Sequence, residues 1–185
     1  MSTEQRTYGP TALLTPANLL TAFRLVITPI FIWLIVQRGA SWITASVGFV
    51  AAVSDYFDGI VARRQGTTTS GAFLDPLADK VVVLGSLFTL AAVGRMAWLP
   101  VIIITLREAW MTWYRSKSSK LGISIPARTL PKWKTFIQDW AIAFCVLPPT
   151  ANLKWLQAGT LWIAVVLTLY TGWQYFDDGR KAVVA

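Results

Sequence analysis

The chain has 185 residues, of which 55% are hydrophobic and ten are tryptophan, and its formal net charge is +8. Its mean hydropathy of +0.51 is far above that of soluble domains, and its apolar runs reach the roughly 20 residues that cross a bilayer as a helix. The absence of histidine excludes a phosphohistidine, a histidine base and histidine metal ligands, while the single cysteine, Cys145, excludes an intrachain disulfide and a cysteine-rich metal cluster.

Six apolar segments follow one another, and each predicts a membrane-spanning helix because open strands cannot satisfy their backbone in lipid. The predicted spans are 18–37, 41–63, 73–94, 97–115, 134–149 and 155–176. We therefore expect an all-α integral membrane protein with six transmembrane helices. Residues 18–176 form the domain, residues 1–17 a cytoplasmic or interfacial segment, and residues 177–185 a cytoplasmic tail. The first span is not followed by an A-x-A-like site, so we do not expect a cleaved signal peptide.

The basic residues predict the orientation of these spans. With both termini in the cytoplasm, only Arg38, Arg95 and Lys154 lie outside, which agrees with the positive-inside rule. This orientation explains most of the net charge. It favours anionic lipid headgroups and phosphorylated substrates as partners, and it argues against nucleic acid.

Four aspartates lie at the facing ends of the second and third predicted spans: Asp55, Asp58, Asp75 and Asp79. Positions 55 and 58 are three apart and positions 75 and 79 are four apart, so each pair shares one helix face. A short loop joins the two helices, which makes them antiparallel neighbours. We therefore expect the four carboxylates to converge at the cytoplasmic membrane boundary.

Four carboxylates in one poorly hydrated site repel each other and need cationic compensation. Arg63 and Lys80 can supply part of it, and divalent cations can supply more. Because only oxygen ligands are available, the pattern favours Mg²⁺ or Mn²⁺. Four carboxylates fit two ions, or one ion and a general base, and a pair of ions is a common clamp for a phosphoanhydride.

Small and hydroxyl-bearing residues surround the aspartates. Gly59, Ala62 and Gly71 either let the helices pack closely or open room for a ligand. The segment QGTTTSG, which includes Thr67, is either a polar turn or a source of contacts to phosphate or ribose.

This stretch resembles the signature of the CDP-alcohol phosphatidyltransferase family, D-x2-D-G-x2-A-R followed by G-x3-D-x3-D. The matching positions are Asp55, Asp58, Gly59, Ala62, Arg63, Gly71, Asp75 and Asp79. Seven residues separate Arg63 from Gly71, one fewer than in the commonest members. The segment TPANLLTAFR also resembles the start of the family's first span.

The resemblance implies a bacterial inner-membrane enzyme, a homodimer with its active site at the cytoplasmic face, that transfers a phosphatidyl group from CDP-diacylglycerol to an alcohol. It implies that the four aspartates hold two divalent ions and that Asp79 is also the catalytic base. The residues that it implies for the donor site are Asp55, Gly59, Ala62, Arg63, Thr67 and Gly71.

Cations near the cytoplasmic face beyond the donor site predict a phosphorylated acceptor: Arg107, Arg115, Lys132 and Lys134. They can equally serve only to orient the helices and contact lipid phosphates. The Arg-Glu pair and the P-K-x-K-T run resemble the bacterial phosphatidylglycerophosphate synthase branch, in which glycine stands in place of Pro131. That branch implies glycerol 3-phosphate as acceptor. Phosphatidylglycerol, as in cardiolipin synthesis, and an inositol phosphate remain alternatives.

Two alternative functions would not involve catalysis: a small cation transporter with an Asp-lined path, and an inactive lipid-binding scaffold. We interpret Glu108 and Asp139 as structural acids, with Glu108 paired to a nearby lysine and Asp139 to Lys134 or Arg128. At the inner end of the first span, Arg24 and its polar neighbours are candidates for contacts to the nucleotide or a phosphate.

Overall fold

The computed structural model describes residues 15–65, 69–120 and 130–184, which form six α-helices and no strand. The helices are α1 (Pro16–Arg38), α2 (Trp42–Gln65), α3 (Thr69–Ala92), α4 (Trp98–Lys120), α5 (Leu130–Val146) and α6 (Lys154–Val184). The all-helical fold class is therefore confirmed. Within the described residues, two helices are long and apolar enough to cross a membrane, Asn18–Arg38 and Lys154–Asp177.

Each predicted span coincides with a helix, but several helices extend beyond the apolar run. α4 continues to Lys120 and α6 to Val184, so positions 177–184 prolong a helix where a tail was expected. α5 begins at Leu130, ahead of the predicted start at residue 134. A helix satisfies its own backbone whatever its side chains are, so its ends need not fall where the apolar run ends.

Local sequence signals determine both ends of α1. Thr15 is the N-cap and accepts a hydrogen bond from the backbone N–H of Asn18 at 3.2 Å, while Pro16 occupies the first helical position. Gly39 ends the helix with φ +60°, and its N–H donates to the carbonyl of Ile35 at 3.1 Å. Glycine reaches this left-handed region without the penalty that a Cβ imposes.

Arg95, which follows the end of α3, contacts the ends of α1 and α5 on the side of the bundle where Gly39 lies. Its Nη1 donates to the backbone oxygen of Cys145, near the end of α5, at 2.9 Å. A Cβ added at Gly39 would lie 2.5 Å from Nη2 of Arg95, so the guanidinium lies directly against the α1–α2 turn. A cation at the carboxyl ends of two helices also complements their dipoles.

Packing divides the bundle into an apolar half and a polar half. The apolar core occupies the half that contains Gly39 and Arg95, and its largest fully buried side chains include Ile35, Leu87, Leu90, Val101, Ile104 and Cys145. The burial of Cys145 agrees with a packing role. In this half α1 and α2 approach closely, because a Cβ at Gly48 would lie 2.8 Å from the ring of Phe31.

Exposed tryptophans lie near both ends of the bundle. Trp42, Trp98 and Trp155 stand at or next to the first residues of α2, α4 and α6, and Trp173 lies towards the other end of α6. Indole rings favour the membrane–water interface, where an apolar body and a polar N–H are both accommodated. This distribution agrees with the aromatic belts expected for a bundle that crosses a bilayer.

Candidate active site

The polar half of the bundle contains buried side chains that are charged or can form hydrogen bonds. They come from α1, α2, α5 and α6, and include Asn18, Thr21, Arg24, Ser54, Lys134, Gln138, Thr168 and Thr171. Burying polar groups is costly unless they are paired, so their concentration in one half indicates a site and not a packing core.

The structure places Asp55 of α2 and Asp79 of α3 close enough to interact electrostatically. Asp55 is half-exposed, whereas Asp79 is partly buried. Asp58 and Asp75 belong to the same two continuous helices, so the backbone positions predicted to share a face do share it. For the two aspartates whose side chains are described, α1 is the helix that joins their two helices, since it packs against both α2 and α3.

Arg24 of α1 supplies a cation to this acidic pair. Its Nη1 lies 2.6 Å from Oδ1 of Asp55, and only 3% of its side chain is exposed. A buried guanidinium without a counterion would be strongly unfavourable, so this pair fixes the amino-terminal part of α1 against α2. The sequence favours Arg63 and Lys80 as compensating cations. The side chain of Arg63 is not described, and the ammonium group of Lys80 donates to Thr112 of α4.

A second charged cluster lies on α4 and α5. One carboxylate oxygen of Glu108, Oε1, accepts a hydrogen bond from Nη1 of Arg107 at 2.9 Å and a second one from Nζ of Lys134. All three side chains are at most 13% exposed. Two cations share one carboxylate, so these three side chains together carry a formal charge of +1.

The clusters around Asp55 and around Glu108 are adjacent. Asp79 interacts electrostatically with Lys134 and Glu108 as well as with Asp55. Asp139 of α5 also interacts with Asp79, Asp55 and Lys134, although the ion pair of Lys134 is with Glu108. Asp79, a predicted metal ligand, thus lies within electrostatic range of Lys134, a predicted acceptor residue.

Other candidate residues have described backbones only, or lie outside the described ranges. Those in helices whose side chains are not described are Asp58, Gly59, Ala62, Arg63, Gly71, Asp75, Arg115 and Lys132. Thr67 and Arg128 lie outside the described residues. In the part whose side chains are described, no group of three or more His, Cys, Asp or Glu residues could hold a metal ion.

Sequence reasoning did not identify two connections of this site. Thr171 of α6 accepts from Arg107 at 2.7 Å, and Gln138 of α5 donates to Thr168 of α6 at 3.3 Å. A threonine in an apolar span carries little signal, because its hydroxyl can always bond back to its own helix. Its contact with Arg107 depends on how α4 packs against α6.

Comparison with known proteins agrees with this geometry. Residues 14–170 match the family model of CDP-alcohol phosphatidyltransferase. The chain belongs to this family. It is therefore a transferase of substituted phosphate groups, and the sequence resemblance is confirmed.

The similar proteins are named for one branch of the family. The chain is 35% identical over 165 residues to a probable phosphatidylglycerophosphate synthase of Mycobacterium tuberculosis (strain H37Rv), covering 86% of this chain and 78% of that protein. It is 33% identical over 171 residues to a CDP-diacylglycerol–glycerol-3-phosphate 3-phosphatidyltransferase of Rickettsia bellii, covering 89% and 94%. A protein of the same name from Pseudomonas fluorescens is 34% identical over 184 residues, covering 90% and 94%.

Proposed function

We propose that this protein transfers the phosphatidyl group of CDP-diacylglycerol to a hydroxyl group of glycerol 3-phosphate and releases CMP, a step of phospholipid biosynthesis. The names of the similar proteins from Rickettsia bellii and Pseudomonas fluorescens describe this reaction. In this chain, the proposal is supported by the electrostatic interaction of Asp79 with Lys134, whose ammonium group shares the carboxylate of Glu108 with Arg107. The proposed proton acceptor then lies within electrostatic range of a proposed phosphate-binding group.

The four aspartates are the proposed ligands of two divalent cations, Mg²⁺ or Mn²⁺. Their oxygen atoms suit hard cations, and Asp55 already holds a cationic group at 2.6 Å, so the donor set fits. When bound, the cations neutralise the diphosphate of the donor and stabilise the departing CMP.

The remaining residues bind the substrates and move the proton. The donor site is lined by Asp55, Gly59, Ala62, Arg63, Thr67 and Gly71. The phosphate of the acceptor is bound by Arg107, Arg115, Lys132 and Lys134. Asp79 takes the proton of the acceptor hydroxyl, whose oxygen then forms the new bond to the phosphatidyl phosphorus as the bond to the CMP oxygen breaks. The electron pair of that bond leaves with CMP.

The charge of the cationic cluster favours glycerol 3-phosphate over phosphatidylglycerol as acceptor. A phosphate monoester carries a charge of about −1.5 to −2 at neutral pH, whereas a phosphodiester carries one negative charge. Arg107 and Lys134 share the single carboxylate of Glu108, which leaves part of their positive charge for a ligand. A monoester uses this charge more fully, and charge-assisted hydrogen bonds to it are correspondingly strong.

The membrane arrangement forms part of the proposal. All six helices span the bacterial inner membrane and both termini lie in the cytoplasm, with 18–176 as the membrane domain between segments 1–17 and 177–185. The helix lengths support this, since the shortest, α5, has 17 residues and the range for spans is about 17–25. The site then lies at the cytoplasmic face, and family resemblance favours a homodimer.

An acceptor screen tests the proposal directly. Purified protein with Mn²⁺ and CDP-diacylglycerol is supplied in turn with glycerol 3-phosphate, phosphatidylglycerol, an inositol phosphate or glycerol, and CMP release is measured. We expect release with glycerol 3-phosphate and little with glycerol, which has the hydroxyl groups but no phosphate. Greater release with phosphatidylglycerol would instead identify a cardiolipin synthase.

The Asp79→Asn variant tests the proposed base. It should still bind CDP-diacylglycerol, because only one of the four carboxylates has lost its charge. It should release CMP at least about 100-fold more slowly, the lower end of what a general base contributes. Equal rates for the variant and the wild type would disprove the assignment of Asp79.

A further inference from the structure

The side chain of Arg107 extends from α4 to α6, where it contacts two adjacent residues, Thr171 and Gly172. Its Nη2 donates to Oγ1 of Thr171 at 2.7 Å. A Cβ added at Gly172 would lie 3.3 Å from Nε of Arg107 and 3.7 Å from its Cγ, so the side chain passes directly over the glycine. Thr171 and Gly172 are both buried.

The hydroxyl group of Thr171 is held in place as an acceptor. It has one proton, which its own helix takes: Oγ1 lies 2.8 Å from the carbonyl oxygen of Leu167 and 3.1 Å from that of Thr168. The lone pairs then face outward to accept from Arg107. This hydroxyl oxygen is held against the backbone of α6, so its position is fixed by the helix.

Two contacts on different helices therefore fix the guanidinium plane. Nη1 of Arg107 meets Glu108, while Nη2 meets Thr171. Because guanidinium is a rigid planar fork, fixing two of its nitrogens fixes the direction of all its N–H groups. Gly172 determines how closely the fork approaches α6, since any side chain there would push it away.

We propose that Thr171 and Gly172 are positioning residues of the acceptor site, which set the plane and depth of Arg107 for a phosphate monoester. This inference rests on the proposed role of Arg107 in binding glycerol 3-phosphate. Thr171 and Gly172 themselves carry no charge. They provide the surface that decides where the charge of Arg107 is presented.

Substitution of Thr171 tests the acceptor contact. Thr171→Val keeps the shape but removes the oxygen, and we expect the KM for glycerol 3-phosphate to rise about tenfold, with kcat and the KM for CDP-diacylglycerol within about twofold of wild type. Thr171→Ser restores the oxygen and should return the KM to within about twofold. The matched control is Thr160→Val on the same helix, where the hydroxyl bonds to the carbonyls of Leu156 and Gln157.

Substitution of Gly172 tests the close approach. Gly172→Ala should raise the KM for glycerol 3-phosphate about threefold, because Arg107 must shift by a few tenths of an ångström. Alanine is a better helix former than glycine, so the substitution should not destabilise α6 itself, and we do not expect the rise in KM to be accompanied by a loss of thermal stability. The control is Gly159→Ala, also in α6, where an added Cβ meets no atom within 4 Å.

Arg107→Gln separates this inference from the proposed function. If Arg107→Gln raises the KM for glycerol 3-phosphate but Thr171→Val and Gly172→Ala do not, the positioning role is wrong and the proposed function stands. If Arg107→Gln leaves that KM unchanged, the acceptor role of Arg107 is wrong and the inference falls with it. A loss of kcat and thermal stability in Thr171→Val, without a selective rise in KM, would show a purely structural role and overturn the inference.

Discussion

The Glu108→Gln variant examines the charge balance on which the acceptor site depends. Glutamine preserves the size and one carbonyl oxygen, so it can still accept a hydrogen bond, but it removes the negative charge that Arg107 and Lys134 both contact. Two cations with side chains at most 9% exposed then face each other across a neutral group. Repulsion and lost compensation should both destabilise the fold.

The expected size of the effect follows from the burial of the cluster. Removing one partner of a buried ion pair costs about 3–5 kcal/mol, and a lost hydrogen bond to a charged group costs about 1.5–3 kcal/mol. Because the introduced glutamine would retain an acceptor, we take the lower part of this range, about 3 kcal/mol. For a chain of this size, that corresponds to a Tm lower by about 6–12 °C.

The ligand dependence of this loss distinguishes an anion site from a structural ion pair. Thermal unfolding of detergent-purified protein is followed with and without glycerol 3-phosphate. Since the phosphate supplies the negative charge that the variant lacks, the Tm increase on adding ligand should be larger in Glu108→Gln than in wild type. Ligand stabilisation grows with the ratio of ligand concentration to Kd, so both proteins are titrated over the same range.

Two results would refute this reasoning. A Tm within about 1 °C of wild type would show that Glu108 does not compensate the two cations. The second result is the expected loss of Tm in Glu108→Gln with no ligand-induced increase in either protein. It would show that Glu108 only forms a structural ion pair, and the acceptor phosphate would have to bind elsewhere. Glycerol serves as the ligand control, because it lacks the phosphate.

Two further variants test other contacts of the bundle. Arg24→Gln removes the cation that lies against Asp55. It should lower the Kd for Mn²⁺, measured by electron paramagnetic resonance, because less positive charge then opposes binding of the metal ion. An unchanged or higher Kd would contradict this. Gly39→Ala should lower Tm more than Gly94→Ala. Both glycines have positive φ, +60° and +73°, but only the first would place a Cβ against Arg95. Equal losses would show that the contact with Arg95 adds nothing to backbone strain.

The sequence was sufficient to predict the helices and the acidic faces. Apolar length and helical spacing are local properties, so the six helical segments and the pairs Asp55/Asp58 and Asp75/Asp79 could be read from short windows. The family signature is also local, since it occupies one stretch of α2 and α3. Its match is confirmed by the family model over residues 14–170.

The tertiary structure decided which charges face one another. Arg24 and Asp55 are 31 positions apart, Glu108 and Lys134 are 26 apart, and Arg107 reaches a hydroxyl group 64 positions away on α6. No periodicity encodes such pairs, because they depend on which helices are neighbours and how they are rotated about their axes. In an apolar bundle the few polar groups must find partners, but only the packing of α1 to α6 determines which partner each one finds.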